Sequence, residues 1–505
     1  MTDSAQSGKV YLVGAGPGDP GLLTLRAREV IDTADAIVYD SRRLSNLLPA
    51  DARERGHPEL YFVGRSRIGK RPSLERVNEL LSSLARSGKS VARLVLGDLF
   101  LLGGGSEEGQ HLNDYGIDFE IVAGVPEGVA AAAYAGIPLT HGEMSKAVVF
   151  LDSRKFPNYD TSLGALALAT QTIVIGPGVK SLEKIAEELI EAGIPRDMPA
   201  ATIKNAGTPH QRVIGGTIET IAALCREARI SGRAITVVGY SVVLRDELDW
   251  RERSALFGKR VALADPPSIS GQLVRMLRAL GADVTEMPEQ LSQRLHVEWQ
   301  RDALDLLAEF DWLVFSGADA VAVFWEKLLG SGRDARALAS RKIAAVGAPT
   351  VRALLERGIT VDATPAKFDV DDVTRELESR NDIAGARFLV VTTEEREDRL
   401  MAALAKAGGA VEVITAARLV PNERALARWK RRITGRRPDV VAFTSVRSVD
   451  RFIEVAGDKL GAEWTSVSIS GGVSDALRER GFEPAEQAQE PTLASLVEAI
   501  RRALT

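Results

Sequence analysis

Short apolar runs dominate the first third of the chain. Between them lie stretches whose apolar residues recur at the period of an α-helix. The first run is Val10-Tyr-Leu-Val13, and four more follow at residues 36–39, 60–63, 91–96 and 119–122. Runs of this length that end at glycine or aspartate predict buried strands of a parallel sheet with helices between them. Because the carboxyl ends of such strands share one edge, the pattern predicts a single ligand crevice at that edge.

The segment from about residue 145 to 245 repeats this rhythm. Apolar runs at residues 148–150, 172–175, 200–203 and 234–239 predict strands, and residues 182–192 and 218–228 have helical spacing. We therefore expect a second α/β lobe, followed by a charged junction at residues 244–257.

The second half contains an internal repeat. Residues 311–324 align with residues 439–452, and residues 343–358 align with residues 466–481, with a shared Ala-Leu-x-Glu-Arg-Gly. Each copy ends in a predicted amphipathic helix, at residues 370–377 and 493–500. Two similar α/β lobes that face each other would form a cleft, although a purely structural role for the repeat stays open.

Composition excludes several classes of function. The net charge of −5 over 505 residues gives no reason to expect a nucleic acid or membrane partner. The single cysteine, Cys225, excludes an intrachain disulfide, and the five histidines lack metal-ligand spacing, so no metal is expected. The polar N-terminus does not resemble a secretory signal and no long apolar run occurs, which predicts a cytoplasmic protein.

The loop Gly14-Ala-Gly-Pro-Gly-Asp-Pro-Gly-Leu-Leu-Thr24 is the first candidate site. Its glycines allow positive φ or close approach of a ligand to the backbone, whereas its prolines remove amide donors. Together with the carboxylate of Asp19, they favour an uncharged or cationic ligand over a phosphate. A turn without any ligand remains the alternative. Asp40 ends the second strand at the same predicted edge, where it serves either a ligand or a helix cap.

The first half resembles the uroporphyrinogen-III C-methyltransferases over residues 8–248. The matching motifs are the glycine-rich loop, Tyr39-Asp40, Val63-Gly64, Ala135-Gly-Ile-Pro-Leu-Thr-His141 and Thr208-Pro-His-Gln-Arg212. The resemblance implies two α/β lobes with S-adenosylmethionine between them. It also implies methylation of uroporphyrinogen III at C2 and C7, which gives precorrin-2 for sirohaem and cobalamin. Members of this family are commonly dimeric, which makes a homodimer through this domain one expectation.

The resemblance also assigns site residues. Those implied to bind the cofactor are Gly16, Pro17, Gly18, Asp19, Gly97, Asp98, Leu101, Gly124 and Ala206. Asp40 matches the proposed proton acceptor, and Arg65 stands where the family has a lysine proposed as proton donor. A guanidinium holds its proton too tightly to donate it near neutral pH. The family's arginine is also missing from Leu102-Gly-Gly-Gly105, so the chain lacks cations that a substrate with eight carboxylates would need.

The second half resembles uroporphyrinogen-III synthase over residues 256–505. The matching motifs are Phe315-Ser-Gly-Ala-Asp319, Ala345-Val-Gly347, Phe443-Thr-Ser445 and Glu490-Pro-Thr492. The resemblance implies one lobe from about 256–290 and 422–505, with a second lobe at about 291–421 inserted into it. It implies cyclisation of hydroxymethylbilane with inversion of ring D, without a cofactor.

Three hydroxyl residues of this half are candidates for substrate binding. Ser316, Thr444 and Ser445 stand at predicted strand-to-helix turns, where hydroxyls and amides can hold acetate and propionate groups. Helix capping is the equally open alternative.

The sequence therefore predicts a bifunctional tetrapyrrole enzyme with small-molecule substrates. One alternative keeps the synthase and makes the first half a non-catalytic scaffold or cofactor sensor. Another is a methyltransferase that acts on a less acidic corrinoid or a different small molecule.

Overall fold

Four five-stranded sheets organise the part of the chain that the structure describes. The computed structural model describes residues 8–49, 57–64, 72–156, 171–288, 290–294, 304, 306–364, 375–377, 383–393, 397–457 and 464–504. Two of the sheets belong to the first half of the chain and two to the second half, which confirms the predicted α/β class.

The first sheet is parallel throughout. Its strands are β1 (Val10–Gly14), β2 (Ala36–Tyr39), β3 (Glu59–Phe62), β4 (Val91–Val95) and β5 (Phe119–Val122). They lie in the order β3-β2-β4-β1-β5. The helices are α1 (Leu25–Thr33), α2 (Leu74–Arg86) and α3 (Gly105–Asp114), and the next helix, α4 (Glu127–Tyr134), packs on strands of the second sheet. All five carboxyl ends meet at one edge, as the sequence predicts.

The second sheet differs from the expected repetition of the first. Its strands are β6 (Ala147–Asp152), β7 (Gln171–Gly176), β8 (Pro199–Lys204), β9 (Arg212–Thr217) and β10 (Ile235–Val238), in the order β6-β7-β10-β8-β9. Only β6 and β7 pair in parallel. The strand β9, which the sequence analysis missed, returns from β8 after a short turn, and such a connection joins antiparallel strands.

The helices of the second lobe and of the junction are α5 (Leu182–Glu191), α6 (Ile221–Glu227) and α7 (Arg245–Leu248). The helices of the second half are α8 (Pro267–Ala279), α9 (Ala318–Gly330), α10 (Ala348–Leu355), α11 (Glu397–Lys406), α12 (Glu423–Gly435), α13 (Val446–Ala456), α14 (Gly471–Glu479) and α15 (Leu493–Leu504). Most of the helix predicted at residues 370–377 lies outside the described residues. Among the described helices, none has the length and apolar character needed to cross a bilayer.

The strands of the second half form two sheets. They are β11 (Arg260–Leu263), β12 (Asp283–Glu286), β13 (Leu291–Arg294), β14 (Trp312–Phe315), β15 (Lys342–Ala345), β16 (Arg387–Thr393), β17 (Ala410–Val420), β18 (Val440–Phe443), β19 (Ser466–Ser468) and β20 (Glu486–Gln487). One sheet has the order β12-β11-β18-β19-β20 and the other β13-β17-β16-β14-β15. The strands of the second of these sheets all lie between β12 and β18 in the chain.

The internal repeat appears as two matching strand–helix units, β14 with α9 and β18 with α13. Phe315 and Phe324 form an edge-to-face ring pair with centroids 5.3 Å apart, and Phe443 and Phe452 form the same pair at the same distance. In both units the aspartate before the strand accepts the N–H of an arginine that begins the neighbouring strand. The aligned residues therefore repeat both the packing and the hydrogen bonding, which confirms the repeat.

The inner strand β14 shows why this sheet needs apolar side chains on both faces. Trp312 and Val314 pack into one apolar cluster, whereas Leu313 and Phe315 pack into another on the opposite face. Successive side chains of a strand point to opposite faces, so a continuous apolar run indicates burial on both sides. All four residues are buried.

Candidate functional site

The glycine loop, residues 14–19, pairs with the turn that follows β4. The N–H of Gly16 donates to the carbonyl of Gly97 over 3.1 Å, and the N–H of Gly97 donates to the carbonyl of Gly16 over 2.7 Å. Both residues have positive φ, +62° and +77°. A residue with a side chain adopts that region at a cost of roughly 1–2 kcal/mol, so this backbone pairing favours glycine at both positions.

A second close approach joins β1 to the loop that follows β5. A Cβ on Gly14 would lie 2.6 Å from the nitrogen of Gly124, and a Cβ on Gly124 would lie 2.3 Å from the oxygen of Gly14. Neither distance is sterically possible without a backbone shift. These two glycines therefore let the backbones touch directly.

The carboxylate of Asp98 forms hydrogen bonds with the turn after β4 and with the loop after β5. Its Oδ1 accepts the N–H groups of Phe100 (2.8 Å) and Leu101 (3.0 Å), and its Oδ2 accepts the N–H of Gly124 (3.0 Å). Asp98 therefore shapes the turn after β4 and holds it against the loop after β5.

The predicted cofactor residues surround one cleft between the two lobes of the first half. One cavity of about 430 Å³ is lined by Gly97, Asp98 and Leu101, and by Phe150 and Val174 of the second lobe. An adjoining cavity of about 320 Å³ is lined by Pro17, Arg43, Ala131, Asn205 and Ala206. The two cavities share the walls Glu127, Pro177, Arg233 and Ile235. We call them together the interlobe cleft; Gly16, Gly18 and Gly124 support its backbone and do not line it.

Ion pairs line the interlobe cleft. The carboxylate of Glu127, at the start of α4, pairs with the guanidinium of Arg233 from the second lobe. Its Oε1 also lies 3.9 Å from Nη1 of Arg43. Burial lowers the pKa of Arg43, and the attraction of Glu127 opposes that effect. No local pattern in the sequence links Glu127 to Arg233, because the two residues are 106 positions apart in the chain.

The edge of the sheet at β2 holds Asp40 in contact with a buried ion pair. Nη2 of Arg93 lies 3.5 Å from Oδ2 of Asp40, and Nε and Nη2 donate to Oε1 of Glu108 over 3.0 and 2.9 Å. The side chains of Arg93 and Glu108 are only 3% and 5% exposed. Glu108 therefore fixes the guanidinium that faces Asp40. Arg65, the other predicted catalytic residue, lies outside the described residues.

Tyr134, at the end of α4, connects the glycine loop to the loop at residues 205–211. Its hydroxyl donates to Oδ2 of Asp19 over 2.5 Å, and its carbonyl accepts from Nε2 of Gln211 over 3.0 Å. Burial and this hydrogen bond raise the pKa of Tyr134. The Asp19 carboxylate also accepts the N–H of Gly21 over 2.8 Å. Asp19 thus positions the loop through both of its oxygens.

The segment at residues 250–252 packs against the same tyrosine. The guanidinium of Arg251 lies 5.0 Å from the centroid of the Tyr134 ring, and its Nη2 donates to the carbonyl of Gly207 over 2.8 Å. The indole N–H of Trp250 donates to the carbonyl of Ala133 over 3.2 Å. The residues after α7 therefore contact both lobes of the first half.

The three hydroxyl residues of the second half have internal hydrogen-bond partners. Ser316 is buried and its hydroxyl donates to Oγ1 of Thr392 over 2.7 Å. Ser445 caps α13, because its hydroxyl accepts the N–H of Ser448 over 3.1 Å in a capping box. Thr444 donates to Oδ2 of Asp265 over 2.8 Å. The capping alternative therefore holds for Ser445, and substrate binding by the three residues stays a prediction.

Asp265 is a further candidate residue that the sequence analysis missed. It follows β11 at the carboxyl edge of its sheet and is 2% exposed. Burial raises the pKa of its carboxyl, although the hydrogen bonds from Thr444 and the charge of Arg451 act in the opposite direction. The signal was available, because an aspartate that directly follows a buried strand is the pattern that identified Asp40.

This raised pKa predicts a pH-dependent effect of Asp265→Asn. The folded chain keeps the Asp265 proton at a higher pH than the unfolded chain, so the associated stability is present at low pH and is lost as the pH rises through the folded-state pKa. Asparagine stays neutral. We expect the variant to melt above the parent at about pH 8, by on the order of 2 °C, and expect this advantage to shrink towards about pH 4.5.

Thermal unfolding of the full chain across that pH range checks this prediction. Asp334→Asn is the matched control, because Asp334 has its pKa lowered by hydrogen bonds from Arg336 and should gain no advantage at high pH. An advantage for Asp265→Asn that stays constant from low to high pH would contradict the assignment.

Comparisons with known proteins agree with this division of the chain. The family of tetrapyrrole (corrin/porphyrin) methylases matches residues 9–222, and the family of uroporphyrinogen-III synthase HemD matches residues 271–498. A porphyrin biosynthesis protein HemD of Ruminiclostridium josui is 34% identical over 375 residues, which cover 72% of this chain and 72% of that protein.

Two further relatives match the first half. An S-adenosyl-L-methionine-dependent uroporphyrinogen III methyltransferase of Methanosarcina barkeri is 42% identical over 251 residues, which cover 48% of this chain and 96% of that protein. A siroheme synthase of Acinetobacter baylyi is 39% identical over 248 residues, 49% of this chain and 54% of that protein. The chain thus spans about half the length of that siroheme synthase. The chain belongs to the tetrapyrrole methylases in its first half and to the uroporphyrinogen-III synthase family in its second half.

Proposed function

We propose that the chain is a bifunctional enzyme of tetrapyrrole biosynthesis. Its second half cyclises hydroxymethylbilane to uroporphyrinogen III with inversion of ring D, and its first half methylates uroporphyrinogen III at C2 and C7 to give precorrin-2. The observation that carries the methyltransferase assignment is the interlobe cleft, around which residues from eight separate segments converge. Membership of both halves in the corresponding families supports the pairing of the two activities.

The residues of the interlobe cleft fit S-adenosylmethionine. Its apolar walls, among them Leu101, Phe150 and Val174, suit a nucleoside base. Glu127 offers a carboxylate to the cationic end of the cofactor, and Arg43 and Arg233 offer cations to its carboxylate. The bound cofactor supplies a methyl group carried on a positively charged sulfur.

We assign Asp40 as the group that holds the proton released during methylation. After a ring carbon has gained the methyl group, the macrocycle must lose a proton. A nearby carboxylate can accept that proton. Arg93 contacts Oδ2 of Asp40, and Glu108 fixes Arg93, so the carboxylate is held in one orientation.

In the synthase half, the bilane carboxylates would meet the turns that begin α9 and α13. The hydroxyls of Ser316, Thr444 and Ser445 already have internal partners, so the first-turn amides of these helices are the donors that we assign to acetate and propionate. Loss of the terminal hydroxyl as water takes up one proton, and the pyrrole carbon that forms the new bond releases one, so the cyclisation is balanced in protons.

A second candidate differs in the first half alone. Two departures in the sequence favour a domain that binds S-adenosylmethionine without turnover: the guanidinium of Arg65 holds its proton too tightly to donate it, and Leu102-Gly-Gly-Gly105 lacks the family's arginine. In that case the chain would be a synthase that carries a cofactor sensor or scaffold.

One assay separates these functions. The purified chain is incubated with hydroxymethylbilane and S-adenosylmethionine, and the products are separated by chromatography. We expect uroporphyrinogen III, and then its dimethylated product. Formation of uroporphyrinogen I at the rate seen in buffer alone would refute the synthase. Formation of uroporphyrinogen III without methylated products would refute the methyltransferase and support the second candidate if the demethylated cofactor still binds.

The substitution Asp40→Asn tests the proton acceptor. Loss of a general base slows a reaction by about 10²–10⁴-fold, so we expect methylation to fall by at least about 100-fold. Binding of the demethylated cofactor and synthase turnover should change less than about twofold, because Asp40 lines neither cavity of the interlobe cleft. Asp32→Asn is the control, since Asp32 is exposed on α1. Equal methylation rates for the two variants would rule out Asp40 as the proton acceptor.

The pair Gly97→Ala and Gly116→Ala tests the cofactor site. Both glycines have positive φ, +77° and +63°, so both substitutions strain the backbone to a similar extent. The added Cβ at position 97 would lie 3.2 Å from the nitrogen of Glu127, whereas the one at position 116 meets no atom within 4 Å. We expect Gly97→Ala alone to weaken binding of the demethylated cofactor, by about tenfold or more in calorimetry. Equal affinities would place the cofactor elsewhere.

A further inference from the structure

A second concave surface lies where the two halves of the chain meet. This open groove has a volume of about 1090 Å³ and is lined from the first half by Asn205, His210 and Arg212, and from the second half by Lys259, Arg260 and Arg436. We call it the interdomain groove. Nε2 of His210 lies 3.3 Å from Nη1 of Arg436 and 3.1 Å from Oδ2 of Asp283, so side chains from both halves meet at this groove.

The interdomain groove carries more positive than negative charge. Four cations line it, and the one carboxylate in its lining, Asp439, is held by the side chain of Arg260 over 2.6 Å. The guanidinium of Arg212 and the ammonium of Lys259 each donate to a backbone carbonyl over 3.3 Å. Among the described residues, no carboxylate forms an ion pair with Arg212, Lys259 or Arg436. Such a surface attracts anions.

The interdomain groove adjoins the interlobe cleft at one residue. Asn205 lines both, and its Oδ1 accepts from Nη2 of Arg43 over 2.9 Å. The following residue, Ala206, faces the cleft, whereas His210 at the end of the same short loop faces the groove. The motif Thr208-Pro-His-Gln-Arg212 therefore forms the border between the two concavities, a role that the proposed methyl transfer does not use.

The groove is separate from the turns assigned to the synthase substrate. Lys259, Arg260 and Asp439 lie at the amino ends of β11 and β18, whereas Asp265 and Thr444 follow the carboxyl ends of the same strands. Substitutions in the groove should therefore leave the synthase reaction intact.

The cations of the groove match a ligand with many carboxylates. The substrate of the proposed methylation carries eight acetate and propionate groups on its rim, and a macrocycle whose reacting carbon enters the interlobe cleft leaves several of them outside. We propose that the interdomain groove binds carboxylates of this tetrapyrrole at the mouth of the cleft, so that the synthase half contributes Lys259 and Arg436 to substrate binding by the methylase half. This inference rests on the proposed function.

The double variant Lys259→Ala/Arg436→Ala tests the inference in the full-length chain. Exposed pairs of opposite charge each change affinity by up to about fivefold, so we expect loss of both cations to weaken binding of uroporphyrin III by about tenfold. Binding is followed by porphyrin fluorescence with the demethylated cofactor present. The effect should shrink at high salt, because exposed charges are screened, and should be smaller for coproporphyrin, which has four carboxylates.

The matched control is Arg424→Ala, which removes an exposed arginine from the first turn of α12, the helix that ends just before Arg436. We expect the control to bind uroporphyrin III like the parent, and expect all variants to keep synthase turnover, which also reports that they fold. Equal weakening by the control and the double variant would overturn the proposal. Displacement of the porphyrin from the parent by a few millimolar inorganic phosphate would also overturn it, since it would indicate a general anion site.

Methylation kinetics distinguish a failure of this inference from a failure of the proposed function. A double variant with a raised KM for uroporphyrinogen III and an unchanged kcat supports both. An active double variant with an unchanged KM overturns the proposal that the groove binds substrate, and leaves the proposed function in place. Absence of methylation in every variant refutes the proposed function, and in that case a weaker porphyrin complex of the double variant alone still supports the groove.

Discussion

Direct contact between backbones is the constraint on which the methylase half depends. The loops after β1, β4 and β5 touch through Gly14, Gly16, Gly97 and Gly124, with no side chain between them. The Asp98 carboxylate then holds two of these loops through three backbone N–H groups. A half-buried carboxylate such as this one is stabilised by its hydrogen bonds and costs stability when one of them is lost. The first-lobe wall of the cleft is consequently set by main-chain geometry.

This dependence explains which parts of the site could be predicted from the sequence. Glycines and an aspartate at the ends of apolar runs indicate loops at one sheet edge, and the repeat in the second half indicates two similar lobes. Arg233 could not be predicted, because its partner Glu127 is 106 residues away in the chain and no local pattern links the two. The antiparallel pair of β8 and β9 was missed for a local reason: β9 is largely half-exposed, so its apolar pattern is weak.

The charged residues of the protein follow two different regimes. Arg93 is buried against Glu108 and Asp40, where removal of one partner would leave an uncompensated charge in an apolar setting. Arg212, Lys259 and Arg436 lie on an open surface, where water screens each charge and a ligand can replace that water. In the sequence, nothing distinguishes the buried basic residue from the exposed ones. Their different chemistry comes from the sheet edge, core or domain boundary on which the fold places them.

The contact between Tyr134 and the residues that follow α7 bears on how the two halves can be divided. Trp250 and Arg251 lie beyond the last helix of the methylase half, yet they pack on α4 and on the loop at residues 205–211. Tyr134 in turn carries the hydrogen bond to Asp19 in the glycine loop. A gene split, or a protease cut, at residue 248 would therefore remove part of the support of the cleft. Glu252, whose carboxylate accepts from Gln211 over 3.1 Å, belongs to the same contact.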